Sequence, residues 1–390
     1  MYLKGKSKTN LAAVGIVALL VALCLAACGG SSSGAGSKTT QGSPKKSGST
    51  DGGGAGVAAA KAAISPFTGH PSSFPVDTPL KGKLPAGTKF AFLQCSTPIC
   101  AGVKELLAPA VKAIGGSLTV VNSGSTAQQA QAAASTILAD KPAALLVTGI
   151  LPAEYGGELK KIQAAGTKVV SMSVAGPTAP YGIDANYIGL QATELAGRLL
   201  ADWVIVHNGP NADIAFYGVP ELSFIPYLEQ SFKQELNKNC PSCKLHFTSV
   251  DISGIGTTAP QTIVSDLQAN PSTNVAVLGT AELDDGLPSA LKSAGINLTT
   301  LGYAPQAEEL ENIKAGGLTG GLAADIPTEV WTSVDIMSRL ILGQSLTPGE
   351  IAGIGPYQFL GQKDITFNPT LGYSAYPDFA QRFAKLWHIS

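Results

Sequence analysis

From Thr88 onward, short apolar runs alternate with longer stretches whose apolar positions recur every three or four residues. Lys89-Phe-Ala-Phe-Leu-Gln94 is apolar on both faces, the pattern of a strand buried between two layers. After the loop Cys95–Cys100, helical spacing is expected over Val103–Ile114, closed by Gly115-Gly116. Strands are then predicted at Leu118–Asn122, Ala143–Thr148 and Lys168–Ser173, with helices at Thr126–Ala139 and Ala153–Ala165 between them. After Tyr181-Gly-Ile-Asp-Ala-Asn186 the pattern restarts with a long helix, Gly189–His207. Strands at Asp213–Gly218, Lys244–Asp251, Val275–Gly279 and Thr299–Tyr303 alternate with helices at Phe224–Asn237, Pro260–Gln268 and Asp285–Ser293. The strand, helix, strand order implies parallel sheets covered on both faces, an α/β fold built from two successive units of similar architecture.

The remainder is less regular. Glu308–Ala315 reads as a helix, Leu318–Asp325 as a strand, Pro327–Leu342 as a long helix and Tyr357–Thr366 as extended chain. The tail from Tyr376 carries Phe379, Phe383, Leu386 and Trp387 on one helical stripe, which reads as core packing.

The first 86 residues follow neither rule. Lys4, Lys6 and Lys8 precede an apolar run, Leu11–Leu25, too short for a comfortable membrane span. Leu25-Ala26-Ala27-Cys28 has small residues where a peptidase must cut and a cysteine just beyond. Residues 1–27 therefore read as a lipoprotein signal peptide and Cys28 as the acylated (palmitate-bearing) first residue of the exported protein. The alternative is a plain secretory signal or uncleaved anchor. The stretch 28–86 is rich in Gly, Ser, Ala, Lys and Pro and reads as a flexible tether at the extracytoplasmic face of the cell membrane.

Export changes the meaning of composition. The chain is 45% hydrophobic and only 14% charged, so the body is globular and large enough for two lobes. Its formal charge is −1, but Lys38, Lys45, Lys46, Lys61, Lys81 and Lys83 sit in the tether, with only Asp51 and Asp77 beside them. The body is left acidic, which speaks against nucleic-acid binding. With Cys24 removed and Cys28 acylated, Cys95 with Cys100 and Cys240 with Cys243 remain as local pairs, expected as disulfides in an oxidising compartment. A redox role for Cys240-Pro-Ser-Cys243 is disfavoured because it lies between a helix and a strand and does not open a helix. No histidine cluster accompanies the cysteines, so no zinc or other metal site is expected.

In open parallel sheets, ligands bind beyond the carboxyl ends of the strands. That rule selects Gln94, Ser96 and Thr97, then Thr148, then Ser171 and Ser173 in the first unit. In the second it selects Glu221 and Phe224, Thr280 and Glu282, Tyr303 and Gln306, with Asp325 at a crossing between units. The set is mainly polar and uncharged with some aromatics, suited to a small polar ligand. Glu282, Asp284 and Asp285 also read as a solvated helix start. No G-x-S-x-G elbow, P-loop or H-E-x-x-H is present, and Gly254-Ile-Gly256 lacks the third glycine of a dinucleotide fingerprint. Neither an enzyme nor a cofactor is expected.

The chain resembles the type I periplasmic binding proteins, the ribose-binding-like solute receptors of ABC transporters, over Thr88 to about Thr366. Tyr181-Gly-Ile-Asp-Ala-Asn-Tyr-Ile-Gly189 resembles the family's first hinge crossing, and Ala324-Asp-Ile-Pro327 its second. Thr280-Ala-Glu-Leu-Asp-Asp-Gly286 with Leu291-Lys-Ser-Ala-Gly295, and Leu301-Gly-Tyr303 with Ile313-Lys-Ala-Gly-Gly-Leu318, are similar to its last strand–helix units. The resemblance implies two Rossmann-like lobes joined by three crossings, one of 87–185 with 327–356 and one of 186–326 with 357–390. It implies a monomer that closes on a sugar or sugar-like ligand and presents it to a membrane permease. A sensor of the same fold docking on a signalling partner is the alternative. Sugar-contacting positions depart from the family: Ser171-Met172-Ser173 replaces an Asp-Arg pair, an arginine is lost near Leu228, and Ala304 replaces an aspartate. These departures bring a less polar, aromatic or nucleoside-like ligand into play. The Cys95–Cys100 staple is expected to preorganise the ligand contacts.

Overall fold

The computed structural model describes residues 52–389; the stretch expected to be a signal peptide, the expected acylation site Cys28 and the chain up to Asp51 lie outside the described residues. The chain begins with α1 (Gly52–Ile64), then runs β1 (Lys89–Gln94), α2 (Pro98–Ala113), β2 (Ser117–Asn122) and α3 (Ala127–Asp140). β3 (Ala144–Thr148), α4 (Glu158–Ala164), β4 (Lys168–Met172) and the short β5 (Ala185–Tyr187) complete the first unit. Its five strands are parallel in the order β2-β1-β3-β4-β5. β3 is buried along its whole length, as its unbroken Ala-Leu-Leu-Val-Thr run demands.

The second unit comprises α5 (Leu190–Asn208), β6 (Asp213–Gly218), α6 (Ile225–Asn239), β7 (Lys244–Ser249), α7 (Ala259–Ala269) and β8 (Val275–Leu278). It continues through α8 (Leu287–Ser293), β9 (Thr299–Tyr303), α9 (Ala307–Ala315) and β10 (Gly320–Ala324). The chain then returns to the first lobe as α10 (Ile326–Leu342) and α11 (Pro348–Ala352), and crosses back as β11 (Tyr357–Gly361) before α12 (Phe379–Leu386). The second sheet has the order β11-β10-β9-β8-β6-β7, parallel except where β11 runs antiparallel to β10. Three crossings thus join two α/β lobes, after β5, after β10 and before β11.

Two expectations are corrected. Residues 52–86, expected as part of a flexible tether, are built into the body: α1 packs on α5 and α6, burying Ala60 and Ile64 completely or nearly so. Its alanine-rich sequence looked like low complexity, yet alanine is the best helix former and its small side chain permits close helix contact. At Gly56 a Cβ would fall on the carbonyl of Asn239. Beyond α1 the chain straps across to the first lobe. Val76 and Leu80 are buried there, the Leu80 N–H donates to Leu386 O at 2.9 Å, and the Arg339 guanidinium donates to Thr78 O.

The tail helix, expected with the C-terminal lobe, packs instead on α10, the long helix that covers the first sheet. Trp387 stacks on Trp331 with centroids 5.2 Å apart, and its indole N–H donates to Asp335 at 2.6 Å. Beneath it Arg339, fully buried, contacts Asp335 at 2.5 Å and Glu350 at 3.1 Å. This charged knot ties α10, α11, α12 and the strap together.

Candidate functional site

Both sheets aim their carboxyl ends at one cavity between the lobes, with about 60 Å³ open to the centre of a water molecule. β1 is flanked by β2 and β3, and β6 by β7 and β8, so strand order reverses at both, where connections diverge and leave a crevice. Thr97, Thr148 and Ser173 line it from the first lobe, and Phe224, Thr280, Glu282 and Tyr303 from the second.

The wall from the first lobe is pinned by the Cys95–Cys100 disulfide, which joins the end of β1 to the first turn of α2. Thr97 Oγ1 lies 3.3 Å from Cys95 Sγ and Thr148 Oγ1 3.2 Å from Cys100 Sγ. The opposite wall is aromatic: Phe224 and Tyr303 meet edge to face at 6.0 Å, and the Tyr303 hydroxyl lies 3.2 Å from that of Tyr357. Cys240–Cys243 also forms a disulfide, far along the chain from these loops in the turn between α6 and β7.

The lobes are closed on this space. Ser223 N–H donates to Gly149 O at 2.8 Å, and Ile150 pairs with Leu222 in an isolated bridge. Glu282 makes a third link: its Oε1 accepts from the Ile99 N–H in the first turn of α2 at 2.7 Å. Burial pushes the Glu282 carboxyl up to about 7, with Glu309's charge adding to the rise and the Ile99 N–H opposing it.

Of the thirteen residues expected at the site, the structure brings seven to the cavity wall. Gln94, Ser96, Ser171, Glu221, Gln306 and Asp325 do not line the cavity. Ser171 is sealed beneath it, donating to Asn186 Oδ1 at 2.8 Å. Asp325 caps α10, accepting from Thr328 N–H and Oγ1 and from Ala375 N–H, which leaves it a structural role at the crossing. Gln306 opens α9 in a capping box with Glu309 and faces the outer mouth. Ser96 and Glu221 line a separate cleft with Glu154 and the start of α3. Gln94 ends β1, its carbonyl taken by the Ser123 N–H.

Glu282 and Asp284 are buried and not a solvated helix start; Asp284 accepts from Asn312 Nδ2 at 2.7 Å. Nor is the cavity mainly polar and uncharged. Val103, Met172, Ile188, Leu222 and Ile326 make much of its wall, and a second carboxyl, Glu329, joins Glu282. Glu329 is 1% exposed and its Oε1 has no hydrogen-bond partner. Burial, reinforced by Asp325's charge, pushes its carboxyl up to about 8. Three lining residues, Ser173, Ile188 and Ala304, hold left-handed backbone at φ +58°, +51° and +56°. That conformation is disfavoured for side-chain-bearing residues, most of all a β-branched one, and such strain gathers where function fixes the geometry.

Closed lobes, a crevice at both switch points and three crossings define a binding-protein architecture of the two-lobed α/β kind. Residues 90–345 match the periplasmic binding protein domain, and the chain belongs to that family. No curated protein matches the sequence. Among solved structures, a glucose-galactose binding protein from Geobacillus stearothermophilus superposes with a TM-score of 0.64 at 13% identity, over 73% of this chain and 100% of that one. A carbohydrate transporter from Acidothermus cellulolyticus in complex with myo-inositol gives 0.63 at 16%, over 76% and 99%. A putative LacI transcriptional regulator from Bacteroides fragilis gives 0.61 at 13%, over 72% and 98%. At such identities the likeness establishes the fold alone. Among the described residues no helix is long and apolar enough to cross a membrane.

Proposed function

We propose that this chain is a lipid-tethered extracytoplasmic receptor that captures a small sugar-like solute between its lobes and hands it to an ABC importer. The observation that carries this reading is the closed cavity at the carboxyl ends of both sheets, which has room for a small molecule. The glucose-galactose and myo-inositol neighbours favour a compact ring with hydrogen-bonding groups. Opening and closing about the three crossings would let a permease distinguish loaded from empty receptor. The division into lobes of 87–185 with 327–356 and of 186–326 with 357 onward suits that motion, with α12 reassigned to the first.

Cys28 would hold the receptor at the membrane, with the chain from Gly29 to Asp51 as the leash. Titration calorimetry of the purified chain against monosaccharides, cyclic polyols and nucleosides tests the reading. Saturable binding of one molecule per chain, abolished by Thr148→Trp, is the expected result; no binding across the panel would count against it. For the tether, Cys28→Ala is expected to move the protein from the membrane fraction to the medium or periplasm.

A further inference from the structure

The chain enters the body on one lobe and begins its first strand on the other. α1 lies on α5 and α6 of the second lobe, and Gly56 sits so close to the Asn239 carbonyl that a side chain would collide with it. The turn Ser65–Phe67 that follows touches β11 of the second sheet. From Ser73 the chain is moored to the first lobe. The Tyr376 hydroxyl donates to Ser73 O, and Phe74 meets Phe383 of α12 edge to face at 5.2 Å. Pro75 O presses on Gly349 in α11. Lys81 N–H donates to Gln344 Oε1 at 2.7 Å, and Gln344 Nε2 donates back to Pro79 O at 3.0 Å. β1 then starts at Lys89 in the first sheet.

Between the two moorings lies Thr68-Gly-His-Pro-Ser72, with Thr68, Gly69, His70 and Ser72 exposed. This link passes from lobe to lobe beside the third crossing. Phe67, Pro71 and Phe74 form one wall of a groove whose other wall includes Ile354, Gly355 and Pro356 of that crossing. The lobes are therefore joined twice along this flank. On the cavity side, closure rests on the Ser223–Gly149 and Ile99–Glu282 contacts and the Ile150–Leu222 bridge. A link of this length reaches at most about 18 Å when fully drawn out. The flank can part only until the link is taut, unless one of the moorings lifts.

We infer that Thr68–Ser72 is a fourth tie between the lobes, one that limits how far and how often they open. It acts by removing freedom from the open state, which raises the share of closed molecules before any ligand arrives. The inference concerns the motion of the lobes and holds whichever solute the cavity takes.

Amide hydrogen exchange of the ligand-free full chain tests it, because the Ile99 and Ser223 N–H groups donate across the seam and report its opening. At Gly69 a side chain would meet only open space, so the chain tolerates an insertion there. Adding about 10 Gly/Ser residues between Gly69 and His70 slackens the link and leaves both moorings in place. Exchange at Ile99 and Ser223 is then expected to quicken on the order of tenfold, the scale of freeing a loop of this length. Leu146 in β3 and Phe216 in β6, which lie inside the two sheets, should exchange as in the parent. A protease site at the same point, compared before and after cleavage with the N-terminal piece still bound, should give the same acceleration. Unchanged exchange at Ile99 and Ser223 in both variants would overturn the inference. So would an acceleration shared equally by Leu146 and Phe216, which would mean that the strap holds the fold and not the opening. Because no ligand is used, failure of the solute panel would leave this result standing.

Discussion

One helix carries two buried charged sites that are treated in opposite ways. Near the far end of α10, Arg339 is locked between Asp335 and Glu350, and Trp387 donates to the same aspartate. In its first turn Glu329 is equally buried but its Oε1 is left without a donor. The first site ties the strap, α11 and α12 to the lobe; the second borders the cavity, its unpaired oxygen lying against Gly355. A buried charge that is paired stays charged, whereas Glu329, without a cation beside it, is pushed up to about 8 by burial.

The largest effect expected from this contrast lies at the knot. Arg339→Ala strands two carboxyls in the core and should lower stability by about 3–5 kcal/mol, read from denaturant unfolding. A loss under about 1 kcal/mol would mean that the knot does not hold the lobe.

Next is the cavity's own staple. Replacing Cys95 and Cys100 by serine should lower stability by about 2 kcal/mol, because the closed loop is short. It should also weaken ligand binding, since Thr97 and Thr148 rest on the two sulfurs. Unchanged affinity would show that the staple serves the fold alone.

Glu329→Gln should raise stability at pH 7, the reverse of Arg339→Ala. Glu329's carboxyl is raised from 4.5 to about 8, so the folded state holds its proton longer than the unfolded chain does. Its contribution is therefore fully present below about pH 4.5 and is lost as pH rises through about 8. The ligand-free parent should lose stability between pH 6 and pH 9 relative to the glutamine variant, measured by chemical unfolding at each pH. Parallel curves would contradict the burial of this group.

The smallest effect concerns backbone strain. Ala304→Gly relieves a left-handed residue and should raise stability by about 0.5–1 kcal/mol. A drop would mean that the Ala304 methyl matters more than its backbone.

Much of the fold was legible because the central strands are buried on both faces and so stand out as apolar runs, as in Ala144–Thr148. Boundaries were harder. α2 starts at Pro98, earlier than the apolar spacing from Val103 indicates, because proline suits the first helical turn. The helix expected over 153–165 is broken at Gly156-Gly157 into a short 3-10 turn and α4. The strap was missed because its contacts are with residues over 250 positions away, as in Leu80 with Leu386.

At the site, the strand-end rule located Thr97, Thr148, Ser173, Phe224, Thr280, Glu282 and Tyr303. It had no way to tell Thr97, which is buried, from the adjacent Ser96, which is exposed and turned to another cleft. Ile188, Thr193 and Glu329 lie on the crossings and the helices that follow them, where the rule does not look. The signal for Glu329 was present in Ile326-Pro327-Thr328-Glu329-Val330-Trp331, an acid in the first turn of an otherwise apolar helix, but a favourable helix dipole explains the same pattern.

Native mass spectrometry of the chain purified without refolding tests the central claim, that the closed cavity holds a small solute. The account predicts a single bound small molecule that is released on partial unfolding and is absent from Thr148→Trp. A protein that is empty at every preparation and shows no thermal shift with any of the probe solutes would contradict it.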